Sequence, residues 1–206
     1  MKKAMTITYE VDGGLYVNVT NRCSNRCSFC IRNNDDGAYG SESLWLEREP
    51  TVEEILESIF ARDLSKYKEL VFCGYGEPSY RLEDVRSVAL KTKRRAPHLK
   101  IRINTNGQSD LIFGRNTAPD YKDAFDSVSI SLNASNSARY AEICHPVFNC
   151  DVLSAIIEFA KNVNKYVQTV QFSIVRQFLS EEEIKECEKI SKTSSIPLRI
   201  REYISN

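Results

Sequence analysis

Ser127-Val128-Ser129-Ile130-Ser131-Leu132-Asn133 alternates polar and apolar side chains without a break. Successive side chains of a strand point to opposite faces, so Ser127, Ser129, Ser131 and Asn133 share one face and Val128, Ile130 and Leu132 the other. The division recurs outward along the chain. Asn18 and Thr20 lie on one face of a strand expected at Leu15–Thr20, and Arg102 and Asn104 on one face at Lys100–Thr105. Thr169, Gln171 and Ser173 do so at Gln168–Val175, and Arg199 and Arg201 at Pro197–Tyr203. A sixth strand, expected at Glu69–Cys73, stands apart from the pattern.

Helices are expected between these strands, each with its own start signal. Thr51-Val52-Glu53-Glu54 is a capping box opening a helix that buries Ile55, Leu56, Ile59 and Phe60. Ser180-Glu181-Glu182-Glu183 is another, followed by Ile184, Cys187 and Ile190, and Asp151 caps a third carrying Leu153, Ile156, Ile157, Ala160 and Val163. Strands alternating with helices pair in parallel through right-handed crossovers. An antiparallel sheet with one solvated face shows the same side-chain alternation, but it does not interleave helices.

Helices must cover the apolar faces, so the polar faces converge on an interior that cannot be a dry core. Buried polar groups need partners, and a polar ligand with water supplies them. A closed eight-stranded barrel needs about 250 residues, and this chain has 206. The expected fold is α/β, a partial (β/α)6 TIM-like barrel of parallel strands, open on one side, forming a single domain over residues 1–206 with its lumen as the binding cavity.

Lys plus Arg and Asp plus Glu number 28 each, so no global charge draws the chain to nucleic acid or an anionic membrane. The one basic run, Lys91–Arg95, falls toward the end of an expected helix, where cations complement the dipole. No stretch of about 18 apolar residues runs unbroken and Met1–Glu10 lacks a signal-peptide pattern. Seven cysteines, an odd number, suit a reducing compartment without structural disulfides. A cytoplasmic location is expected.

The chemistry is concentrated in Cys23-Ser24-Asn25-Arg26-Cys27-Ser28-Phe29-Cys30. Three thiolates on a 4Fe-4S cube leave one iron without a protein ligand, whereas cubes used only for electron transfer normally have four. Structural zinc sites need four ligands, which here would require Cys73, Cys144, His145 or Cys150. Buried free thiols are the remaining reading.

This Cys-x-x-x-Cys-x-x-Cys pattern, with Phe29 before its last cysteine, resembles the radical S-adenosylmethionine (SAM) enzymes. The resemblance implies that Cys23, Cys27 and Cys30 ligate a 4Fe-4S cluster whose open iron binds SAM. Reductive cleavage of SAM then yields a 5′-deoxyadenosyl radical that abstracts hydrogen from a small-molecule substrate. It also implies a reductant such as flavodoxin or ferredoxin. Gly74-Tyr75-Gly76-Glu77-Pro78 resembles the family's Gly-Gly-Glu-Pro motif, with Tyr75 in place of its first Gly. Asn104, Asn106, Ser131, Asn133, Gln171 and Ser173 then fall at cofactor-facing positions. Together with Phe72–Pro78, Ile103–Gly107 and Ser129–Ala134, the short length is most similar to the small radical SAM subfamily associated with TatD-type nucleases, and more distantly to 7-carboxy-7-deazaguanine synthase. No individual catalytic side chain is assigned.

Beyond the resemblance, inward-facing Arg199 and Arg201 suit a carboxylate or phosphate of the substrate, or reach solvent from an edge strand. The long segment Ile31–Glu49 is expected to act as a lid or a structural plug through Leu44-Trp45-Leu46. A non-catalytic iron-sulfur electron carrier or sensor is the alternative function. It requires a fourth ligand such as Cys73 or Cys144.

Overall fold

Strands β1 (Thr8–Val11) and β2 (Gly14–Val17) form an antiparallel hairpin in the computed structural model, which describes residues 2–203. Asp12 and Gly13 turn the chain with φ of 49° and 78°. Two left-handed residues in a two-residue loop give the turn whose twist matches paired strands, and Asp-Gly suits it. The hairpin adds an antiparallel strand to the six expected.

The remaining five strands are β3 (Glu69–Phe72), β4 (Lys100–Thr105), β5 (Ser127–Ser131), β6 (Thr169–Val175) and β7 (Leu198–Arg201). All pairs from β2 to β7 are parallel, each new strand lies beside the previous one, and β7 does not pair with β1. The result is a mostly parallel, unclosed α/β barrel, as the side-chain alternation requires. The first expected strand is shorter than its pattern: Asn18 and Thr20 lie beyond β2 yet are completely buried.

Helix α1 (Val52–Phe60) begins at the Thr51–Glu54 capping box, with both reciprocal hydrogen bonds formed. Then come α2 (Leu82–Arg95), α3 (Ser109–Phe113), α4 (Ser137–Cys144), α5 (Val152–Val163, capped by Asp151) and α6 (Glu181–Ser194, opened by the Ser180–Glu183 box). The helices bury Ile55, Val85, Ile156, Phe159 and Ile184 in one core with Phe72, Ile103, Ile130 and Phe172 of the strands. Each such fully buried side chain contributes about 1.5–3 kcal/mol. The basic run ends α2, where Lys93 pairs with Asp126 at 3.1 Å and Arg95 stacks on Phe60 at 4.1 Å. No helix among the described residues is long and apolar enough to cross a membrane.

Candidate functional site

The cysteine loop leaves β2 and docks on the C-terminal end of α4. A helix leaves its last carbonyls without intrahelical partners, and here the loop supplies donors: Arg26 N to Cys144 O at 2.9 Å and Ser28 N to Ile143 O at 3.0 Å. Beneath it lies a buried polar network. Asn25 Nδ2 donates to the Tyr140 hydroxyl at 2.9 Å, and Gln108 Nε2 lies 2.8 Å from both that hydroxyl and Asn25 Oδ1. Asn106 Nδ2 donates to Ser24 Oγ at 2.8 Å. Loop, β4 exit and α4 are thereby fastened together. Ser24, Asn25, Gln108 and Tyr140 are the supporting residues that the sequence pattern does not single out.

Cys23, Cys27 and Cys30 are all half-buried. Cys23 accepts from Asn25 N at 3.5 Å. The Cys27 thiol hydrogen-bonds the Cys144 thiol, and that contact together with burial holds it far above the ordinary thiol range. Burial pushes Cys23 up to about 12 and also raises Cys30. The Arg32 guanidinium opposes the shift at all three and donates to Asn25 O at 3.1 Å. Among the described residues, no three or more Cys, His, Asp or Glu side chains surround a single metal position. Phe29 packs on Phe178 with ring centroids 4.9 Å apart.

The glycine turn after β3 is shaped by backbone contact. A Cβ on Gly76 would stand 2.2 Å from Thr20 O and 2.7 Å from Arg22 O, so only glycine fits. At Gly74 it would meet Asn18 Oδ1 at 2.1 Å. The Tyr75 hydroxyl turns to the carbonyls of Gly37 and Asp35, at 2.7 and 2.8 Å. Glu77 is buried, and its carboxylate accepts from Ser79 N (3.0 Å), Thr105 Oγ1 (2.7 Å) and Asn106 N (2.6 Å). Burial raises its pKa against those donors. The carboxylate thus orders the turn after β4.

The other expected cofactor positions divide by their partners. Asn104 and Asn133 each carry a buried side-chain oxygen with no partner. Asn133 also adopts a left-handed φ of 58°, and its Nδ2 points to Cys144 Sγ at 3.8 Å. Ser131 pairs in register with Ser173, whose side chain is buried, and Gln171 is half-buried beside Ser129. Arg199 is exposed, whereas Arg201 is half-buried and lies near Cys73, Tyr39 and Tyr16.

The Ile31–Glu49 segment is a plug. Ala38 and Leu44 pack with Tyr9, Val11 and Tyr75 in a second apolar cluster, and Trp45 meets the Tyr75 ring edge-on at 5.3 Å. Open clefts border this segment. One of about 460 Å³ runs along β1, lined by Thr8, Glu10 and Arg62 among others, and one of about 370 Å³ sits at the start of α2. Neither is lined by a cysteine.

Three solved structures share the fold. The first is SuiB of Streptococcus suis bound to precursor peptide SuiA, with TM-score 0.69, 17% identity, and coverage of 93% of this chain and 39% of that one. A radical SAM methyltransferase from Sphaerobacter thermophilus gives TM-score 0.58 at 17% identity, covering 95% and 68%. HydG, a maturase of the [FeFe]-hydrogenase, gives 0.61 at 11%, covering 93% and 43%. The chain thus spans about two-fifths of the SuiB chain. No curated protein sequence matches it. The family model of the Radical SAM superfamily matches residues 17–190, which is most of the chain. The chain therefore belongs to the radical SAM superfamily, whose members use a 4Fe-4S cluster and SAM.

Proposed function

We propose that this chain is an enzyme that cleaves SAM reductively at a 4Fe-4S cluster held by Cys23, Cys27 and Cys30. The donor set fits. Three half-buried thiols share one loop, which matches a cube with one iron left for a non-protein ligand. The orphaned oxygens of Asn104 and Asn133 are acceptors suited to a polar cofactor, and Gly76 is packed against backbone where a side chain would not fit. Cys23, Cys27 and Cys30 would hold the cluster, which would supply the electron for reductive cleavage of SAM and so the means of hydrogen abstraction from a small substrate.

The protein's own contribution is placement. The Asn25–Tyr140–Gln108 network fixes the cysteine loop over the barrel end, and Glu77 fixes the adjoining turn. Phe29, against Phe178, shields one side of the loop from water. A flavodoxin- or ferredoxin-like protein supplies the electron. The supporting observation is the three-thiol loop anchored at the C-terminal end of the strands, where βα folds place their sites. Anaerobic reconstitution with iron and sulfide, followed by dithionite and SAM, is expected to yield 5′-deoxyadenosine. Yield no greater than that of a Cys27→Ala control overturns the reading.

The contact between Cys27 and Cys144 favours one alternative, a closed four-thiolate cluster acting as an electron carrier. Such a cluster leaves no iron for SAM, so its EPR spectrum is unchanged on SAM addition.

A further inference from the structure

Arg201 ends β7 at the same end of the sheet as the cysteine loop, opposite Val175 of β6 in register. Its neighbours Cys73, Tyr39 and Tyr16 come from the exit of β3, the plug segment and β2, so the side chain reaches across the interior from one free edge of the barrel toward the other. Its Nε is buried without an acceptor, and among the described residues no ion pair or hydrogen bond engages its guanidinium.

The surrounding charges are settled without it. Arg199, two residues back on β7, is exposed to solvent, and Arg102, a further cation on this face, is matched by Glu69 at 2.9 Å and the Tyr16 hydroxyl at 3.1 Å. Glu202, next in sequence, is engaged by Arg176 and Gln177. The acidic groups closest to Arg201 stay protonated, because burial raises Tyr16 to about 12 and raises Tyr39 and Cys73 as well. An arginine is effectively always charged, and a buried charge is normally paired. At Arg201 the buried Nε is left with no acceptor in the protein.

Position says where an acceptor would come from. Two residues on, Tyr203 stacks on Phe178, which stacks on Phe29 of the cysteine loop, and the Tyr203 hydroxyl bonds Asn34 at 2.6 Å. The end of β7 is therefore tied to the loop that bears the thiols. We infer that Arg201 is a positioning residue that binds an anionic group, a carboxylate or phosphate, on the substrate entering the lumen. This rests on the radical SAM reading above and adds a substrate class to it.

The test uses reconstituted, 15N-arginine-labelled protein without dithionite. The Nε–H resonance of Arg201, assigned by its loss in R201K or R201Q, is followed during titration with inorganic phosphate and with succinate at fixed ionic strength, in the presence and absence of SAM. A saturable shift with either anion is expected while SAM is bound, with none from SAM alone. Isothermal titration of R201Q is expected to give a dissociation constant at least tenfold higher, partly recovered in R201K. A shift that never saturates, or an unchanged constant in R201Q, overturns the inference. A shift produced by SAM itself also overturns it, assigning the guanidinium to the cofactor's carboxylate. The titration requires no radical chemistry, so absent 5′-deoxyadenosine sinks the function while leaving this result to stand or fall alone.

Discussion

Asn25 of the cysteine loop donates its side-chain amide to the hydroxyl of Tyr140 on α4 at 2.9 Å, across 115 residues of sequence. The same hydroxyl takes Gln108 Nε2 at 2.8 Å, so one oxygen joins the loop, the β4 exit and α4. Tyr140→Phe keeps the ring and strands two buried donors, each costing about 1–3 kcal/mol. The expected result is a lower urea midpoint and a reduced iron content after reconstitution. If iron and sulfide stay at the wild-type ratio despite lost stability, the network holds the fold and has no hand in the loop.

Gly76→Ala drives a methyl group into backbone on two sides, Thr20 O at 2.2 Å and Arg22 O at 2.7 Å. Backbone yields less readily than a side chain, so a loss of about 3 kcal/mol is expected, at the upper end for overpacking. Gly114→Ala is the comparison, since no atom lies within 4 Å of its added Cβ and only its positive φ of 63° is strained. Denaturant titration should rank Gly76→Ala as the more damaging. The reverse order would mean that the contact between the β2 exit and the glycine turn is slack.

What the sequence discloses and what it hides follow from how local each signal is. The polar faces of β4 and β5, the capping boxes of α1 and α6 and the three thiols are contiguous or periodic, and all are legible. The β1–β2 hairpin carries the Asp12-Gly13 turn signal, but each strand spans only four residues, too few for alternation to stand out. The direction of the Glu77 carboxylate depends on Thr105 and Asn106, 28 and 29 residues away. Gln108 meets Asn25 across 83 residues. No spacing rule records such meetings, which exist only once the strands have been laid side by side.

Cys144 distinguishes an open cube from a closed one. Its thiol receives Cys27 and Asn133 Nδ2 and is completely buried. With three ligands on the loop, Cys144→Ala should retain wild-type iron and acid-labile sulfide, at a stability loss of no more than a few kcal/mol for a small buried group. Cys27→Ala should lose the cluster. Loss of iron in both variants would make Cys144 a ligand and favour the electron carrier.

The start of α1 gives the chain a defined acid sensitivity. Glu54 closes the capping box on Thr51 N at 2.8 Å and is paired with Arg48, whose Nη1 lies 2.8 Å from Oε2. Arg48 first, and then the Thr51 backbone, hold the carboxyl at about 2, below its ordinary 4.5. Because the folded chain binds this proton less tightly than the unfolded one, the contribution is present above pH 4.5 and disappears as pH falls toward 2. Glu54→Gln keeps a capping acceptor but no charge. Its melting temperature should lie below wild type at pH 6, and the gap should narrow steadily on acidification as the wild-type carboxylate takes up its proton. Added salt should also narrow the gap at pH 6, since the pair is exposed. A gap that stays constant from pH 6 to 2.5 would show that the Arg48 pairing contributes nothing to the fold.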